Sequence, residues 1–279
     1  MESFGIRLRD AVETHGPLCV GVDPHAQLLA SWGLPDSPSG VAAFSRTVVD
    51  ALAGRVAVVK PQSAFFERFG SRGVEILEST IRQFREAGTL VLLDVKRGDI
   101  GSTVAAYADA YLNPSSPIYV DAITATPYLG FGSLAPMFDA AAKHGGGVFV
   151  VTLTSNPEGP SVQHARTADG RTVGQLVLDE ISQLNGGERP FGSVGVVVGA
   201  TIGETGHDLT EVGGPILVPG LGAQGGSADD LRRIFAGNPS TVLPSYSREV
   251  LGAGPDIAAL RIAAQRALDS CRAALGVAK

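Results

Sequence analysis

Short apolar runs rich in valine, isoleucine and leucine recur along the chain and predict strands over 18–22, 56–59, 90–93, 122–125, 148–152, 194–198, 215–218 and 241–243. Each reads as continuously apolar rather than alternating, the pattern of a strand buried on both faces of a parallel sheet. Between them, apolar residues fall at helical spacing over 41–53, 74–87, 105–112 and 133–144. These stretches stop at Gly54, at Gly88, before Asn113-Pro114 and at Gly145-Gly146-Gly147, residues that end helices. The stretch 256–275 is rich in Ala, Leu and Arg and is strongly helical. About eight strand–helix repetitions predict an α/β fold, a (β/α)8 TIM barrel, as one domain over residues 1–279. An open doubly wound sheet would carry a Gly-rich dinucleotide turn after its first strand; Gly21-Val22-Asp23-Pro24-His25 is not one. The longest irregular piece, 156 to about 172, is expected to form an excursion over the barrel mouth.

Hydrophobic residues make up 44% of the chain, ample for a large core, and the formal net charge is −6 with the basic residues scattered. That distribution argues against a nucleic-acid surface but leaves room for a local anion pocket. The two cysteines, Cys19 and Cys271, have neither CxxC nor Cys/His spacing, so neither a disulfide framework nor a zinc site is expected. Cys19 lies inside an apolar run and reads as a small core residue. The segment Met1-Glu2-Ser3-Phe4-Gly5 lacks the basic and apolar regions of a signal peptide, and no apolar run approaches the length of a membrane span. A soluble cytoplasmic protein without membrane partners is the expectation.

In such a barrel the chemistry sits where the strands end. The polar residues there are Asp23, Lys60, Asp94 and Lys96 with Asp99 behind, Thr154-Ser155, the run Pro219-Gly220-Leu221-Gly222-Ala223-Gln224-Gly225-Gly226, and Ser247-Arg248. Residues two apart on a strand face the same way, so Asp94 and Lys96 are expected to point together. Ionised groups at the mouth of a buried strand are costly unless paired or used. Two neighbouring aspartates disfavour each other's charged form, and interleaved lysines offset that, so Lys60, Asp94, Lys96 and Asp99 are expected to stay ionised together. The glycines after the seventh strand leave room for backbone N–H groups to approach an anion, with Arg248 at the next strand end offering a bidentate fork.

The segment Asp94-Val95-Lys96-Arg97-Gly98-Asp99-Ile100-Gly101-Ser102-Thr103 resembles the signature of the orotidine 5′-monophosphate decarboxylase family, Asp-x-Lys-x-x-Asp-Ile-x-x-Thr, at every fixed position. The wording is most similar to the bacterial branch that includes the mycobacterial enzymes. The resemblance implies decarboxylation of orotidine 5′-monophosphate to uridine 5′-monophosphate, the last step of de novo pyrimidine nucleotide synthesis, with neither metal nor organic cofactor. It implies Lys96 as proton donor, Asp94 facing the departing carboxylate and Lys60 ordering the charged array. It further implies Asp23 on the ribose, Ser155 on the pyrimidine amide, and Pro219, Gln224, Gly225 and Arg248 at the phosphate. Asp99, Ile100 and Thr103 are implied to reach into a neighbour's site, which makes the partner a second copy in a homodimer.

Chemistry agrees with that implication. Loss of CO₂ from C6 of a uracil ring leaves a carbanion the ring cannot delocalise, and a fixed ammonium both stabilises it and protonates it. Two rival readings remain. Sugar-phosphate decarboxylases and aldolases of the same superfamily share Asp-x-Lys-x-x-Asp but use magnesium and a glutamate at the second strand end, where this chain has Lys60. A catalytically silent phosphate-binding barrel would have no use for so costly a charge array. Outside the array, His25 is as consistent with a surface turn as with a ligand contact, and His144 and His164 are expected at the surface. Trp32 is expected to pack a loop onto the barrel, and Arg97 to meet acids at a subunit interface.

Overall fold

The computed structural model describes residues 2–203, 206–235 and 239–277. Eight parallel strands close on themselves in sequence order: β1 (Cys19–Val22), β2 (Val58–Pro61), β3 (Leu90–Arg97), β4 (Ala122–Ala125), β5 (Gly147–Leu153), β6 (Val194–Val198), β7 (Ile216–Val218) and β8 (Val242–Tyr246). Closure is made by β8 pairing with β1, Ser245 beside Cys19 and Tyr246 beside Val20. The α-helices around them are α1 (Phe4–His15), α2 (Ala26–Ser31), α3 (Pro38–Leu52), α4 (Ala64–Glu67), α5 (Gly70–Glu86), α6 (Gly101–Leu112), α7 (Ala135–His144), α8 (Pro160–Gln163), α9 (Val173–Asn185), α10 (Ala228–Phe235), α11 (Arg248–Leu251) and α12 (Ile257–Leu275). The expected (β/α)8 barrel is therefore observed. Among the described residues no helix is long and apolar enough to cross a membrane.

Local chemistry sets the helix ends. Ser37, Thr172 and Asp256 accept from the N–H groups of Gly40, Gln175 and Ala259, capping α3, α9 and α12. Gly88, with φ +78°, supplies the left-handed residue that turns the chain from α5 into β3. The strands are apolar throughout because both their faces are covered. Inward-facing Cys19, Val58, Leu92, Phe149, Val197, Leu217 and Leu243 fill the barrel, while outward-facing residues such as Val20, Val59, Leu93 and Val196 pack beneath the helices.

α1, which the hydrophobic pattern does not announce, closes the lower end. Phe4 and Leu8 join the barrel interior, and the Phe4 and Phe149 rings meet edge to face at 5.9 Å. Gly147 makes this possible, since a Cβ there would lie 2.4 Å from the Phe4 ring. Arg7 fixes the plug by donating to Asp121 (2.6 Å) and to the Gly145 carbonyl (2.8 Å). Trp32 packs as expected: its ring lies 4.6 Å from that of Phe44, and its indole N–H donates to Leu251 O at 3.0 Å. The excursion at 156–172 is more ordered than its composition predicts. It holds α8 and an antiparallel bridge between Arg166 and Thr172 that delivers the Thr172 cap to α9.

Candidate active site

At the C-terminal ends of the strands lies a cavity of about 480 Å³. Its wall carries Asp23, Lys60, Asp94, Lys96, Ser155, Pro219, Gln224 and Arg248, so eight of the residues singled out from the sequence converge on one space. Val151, Leu153, Val197 and Leu217 form an apolar floor.

The charged array is built by an irregularity in β3. Leu93 pairs with Ile123 and Arg97 with Ala125, so four residues of β3 span two of β4 and the strand bulges between them. Simple alternation therefore does not hold at Asp94 and Lys96. Lys96 instead adopts φ +43°, the one left-handed non-glycine residue among the described residues, a conformation that costs about 1–3 kcal/mol unless its surroundings enforce it. Thr124, buried on β4, enforces it. Its Oγ1 accepts the N–H groups of Val95 (3.0 Å) and Lys96 (2.9 Å) and donates to Asp94 Oδ1 (2.8 Å). The two side chains meet after all, Lys96 Nζ lying 2.6 Å from Asp94 Oδ1, while Lys60 Nζ lies 3.1 Å from Asp94 Oδ2.

Burial pushes the Asp94 carboxyl up, but the ammonium charges of Lys60 and Lys96 and hydrogen bonds from Lys96 and Thr124 outweigh it and hold the group well below the usual carboxylate range. Burial likewise pulls Lys60 down, and the Asp94 and Asp23 carboxylates more than reverse it, so the ammonium is held above its ordinary value. Lys60 and Asp94 are each 8% exposed in their side chains and Lys96 48%. The array is thus a buried ion pair with a second cation reaching into the cavity.

The other end of the cavity is held by Asp23, whose Oδ2 accepts from Ser247 Oγ at 2.5 Å, next in sequence to Arg248. Ser155 follows Thr154, whose N–H donates to Gln163 Oε1 (2.9 Å) and whose Oγ1 accepts from Gln163 Nε2 (2.7 Å), so α8 fixes the position of Ser155. The glycine run behaves differently from expectation. The N–H groups of Gly222, Gly225 and Gly226 donate to the carbonyls of Gly226, Gly222 and Gly220. Gly225 lies outside the lining of the cavity, and its N–H closes a turn at φ +101°.

Asp99, Ile100 and Thr103 also lie outside the cavity of their own chain. They open α6 on the outer surface, where Ile100 is 62% exposed. Arg97 is engaged within its own chain, donating to Glu67 (2.6 Å) and to the Tyr111 hydroxyl (3.3 Å). His164 is exposed, as expected, and His144 half-buried. Sequence reasoning passes over Thr124 and Gln62, both on the cavity wall. The signal for Thr124 was one hydroxyl inside the apolar run of β4.

The chain matches the model of the orotidine 5′-phosphate decarboxylase / HUMPS family over residues 16–263. It is 72% identical over 275 residues to the orotidine 5′-phosphate decarboxylase of Salinispora arenicola, covering 99% of each chain. A solved structure from Streptomyces avermitilis is 55% identical with a TM-score of 0.96, covering 99% of this chain and 97% of that one. The solved orotidine monophosphate decarboxylase of Leishmania donovani is 30% identical with a TM-score of 0.77, covering 98% and 99%. With its motif, barrel and charged cavity, the chain belongs to the orotidine 5′-phosphate decarboxylase / HUMPS family.

Proposed function

We propose that this chain, as a single barrel unit in the cytoplasm, converts orotidine 5′-monophosphate to uridine 5′-monophosphate and CO₂, the closing step of pyrimidine nucleotide synthesis. The observation that carries the reading is the Lys60–Asp94–Lys96 array, with one carboxylate clasped by two ammonium groups at the edge of an apolar floor. The pyrimidine ring rests on Val151, Leu153, Val197 and Leu217, with Ser155 at its amide. Asp23 takes the ribose, and Gln224 and Arg248 take the phosphate. The bond from C6 to the carboxylate breaks, its electron pair stays on C6, and the Lys96 ammonium delivers a proton there; the amine regains its proton from solvent. Stabilisation of the developing carbanion by a fixed cation is the main effect. Repulsion between Asp94 and the leaving carboxylate adds a smaller ground-state contribution. Lys60 stands at the β2 end, where the magnesium-dependent sugar-phosphate enzymes need a carboxylate.

A second copy completes the site. Asp99, Ile100 and Thr103 face outward beside the segment 126–129, which the Thr126 N–H bond to Arg97 O (2.9 Å) holds against the β3 loop. That segment exposes Tyr128 at 78% and Leu129 at 53%, and Ile100 is exposed at 62%, apolar side chains that a twofold-related copy would cover. Loss of the substrate's ultraviolet absorbance in the presence of EDTA tests the reaction: turnover is expected, and absence of turnover or dependence on added metal overturns it. Mixing Lys96→Ala with Asp99→Ala tests the shared site. Hybrid dimers then carry one intact site, and activity above that of either variant alone is expected; none would show each chain to be self-sufficient.

A further inference from the structure

The cavity wall holds a histidine that the charged array does not use. His25 follows Asp23 through a tight turn about Pro24, closed by the His25 N–H bond to Asp23 O at 2.8 Å, and both residues line the cavity. The imidazole caps α2, with Nδ1 accepting the Leu28 N–H at 3.2 Å. A ring nitrogen that accepts an N–H carries no proton, so in the neutral ring the proton sits on Nε2. Burial, then the nearby Arg248 charge, lowers the imidazole from its ordinary value and favours that neutral form. The Nε2 atom is buried and has no hydrogen-bond partner among the described residues; the same is true of Asp23 Oδ1, whose sister oxygen is taken by Ser247.

An unmated donor and an unmated acceptor therefore lie two residues apart on one wall. Buried groups of this kind cost stability unless something mates them. A phosphate offers only acceptors and would be repelled by Asp23, whereas a hydroxyl both donates and accepts. We propose that His25 is a substrate-binding residue whose Nε2–H donates to a ribose hydroxyl of the nucleotide, the proton of that hydroxyl going to Asp23 Oδ1. The proposal rests on the nucleotide reading above.

The test separates the cap from the donor. Asparagine and serine both cap helices well but place no donor at the Nε2 position. His25→Asn and His25→Ser are each compared with the unsubstituted chain by calorimetric titration with uridine 5′-monophosphate and with its 2′-deoxy and 3′-deoxy analogues. At an unchanged Tm, both variants are expected to bind the ribonucleotide roughly 2- to 12-fold more weakly, the worth of one hydrogen bond. For one of the deoxy analogues the penalty is expected to vanish, because the hydroxyl it acts through is gone. Unchanged affinity for the ribonucleotide, or an equal penalty on all three ligands, overturns the assignment. Failure of the unsubstituted chain to bind uridine 5′-monophosphate would instead strike the nucleotide reading itself, and this proposal with it.

Discussion

Thr124→Val removes one oxygen and leaves the side-chain volume nearly unchanged, so the loss is one of polar contacts. Thr124 is 1% exposed, and its Oγ1 accepts from Val95 at 3.0 Å and from Lys96 at 2.9 Å while donating to Asp94 at 2.8 Å. Leaving a buried N–H unmated costs about 1–3 kcal/mol. Two are stranded here, the Val95 one buried and the Lys96 one only part-buried, which brings the expected loss to about 3 kcal/mol. The same hydroxyl holds Lys96 at φ +43°. Once released, the backbone relaxes toward an ordinary conformation and moves the ammonium; a displacement of about 1 Å at a reacting group costs on the order of 10²-fold in rate. Thr124→Ser keeps the oxygen and is expected to restore most of both properties. Urea unfolding at constant m-value reads the stability, and the substrate's absorbance loss reads kcat. A valine variant within about 0.5 kcal/mol of the unsubstituted chain and within about threefold in kcat would refute the idea that Thr124 sets the array.

Arg248→Ala is expected to lower kcat/KM on the phosphorylated substrate beyond the roughly 10- to 150-fold of one charge-assisted hydrogen bond, because binding energy at the phosphate is used at C6. The unphosphorylated nucleoside should be turned over equally slowly by both proteins, and an unchanged kcat/KM on the nucleotide would remove Arg248 from the clamp. Asp94, held below the usual range, binds its proton later in the native than in the unfolded chain. Its contribution to stability is thus full above the unfolded value near about 4 and is lost as the pH falls toward the native one, at up to about 1.4 kcal/mol per pH unit. Acid unfolding of Asp94→Asn should lack that share of the slope; identical slopes would show that Asp94 is not held low. Lys60 has the opposite sign, its contribution persisting through neutral pH and falling away only in strong alkali, so stability of Lys60→Met relative to the unsubstituted chain should stay constant between about pH 6 and 9.

The barrel was legible because strands covered on both faces leave a continuous apolar signature, and β4 and β6 begin and end where the pattern places them. β3 runs on to Arg97, past the predicted end at residue 93, because Asp94, Lys96 and Arg97 look like loop residues until the bulge and Thr124 give them partners. The bulge leaves no trace in hydrophobicity. α1 was illegible for a related reason: it buries only Phe4, Gly5 and Leu8, too few for a clear period. At the site, residues with costly charges announced themselves. Those that position the charges were harder to see: Thr124 passes for an ordinary strand residue, and the part of Ser247, singled out only as a strand-end residue, shows when barrel closure brings it to Asp23. Glycine permits two outcomes, an open nest or a self-bonded turn, and the N–H groups of Gly222, Gly225 and Gly226 form the second, which composition alone does not decide.

The central claim is that the Lys96 ammonium stabilises and protonates the C6 carbanion. Its most direct test is single-turnover decarboxylation by Lys96→Ala, with binding of uridine 5′-monophosphate measured alongside to show that the cavity is intact. Loss of kcat well beyond the roughly 10²- to 10³-fold of one electrostatic donor, with product binding retained, is the expected result. Turnover within about tenfold of the unsubstituted chain would contradict it.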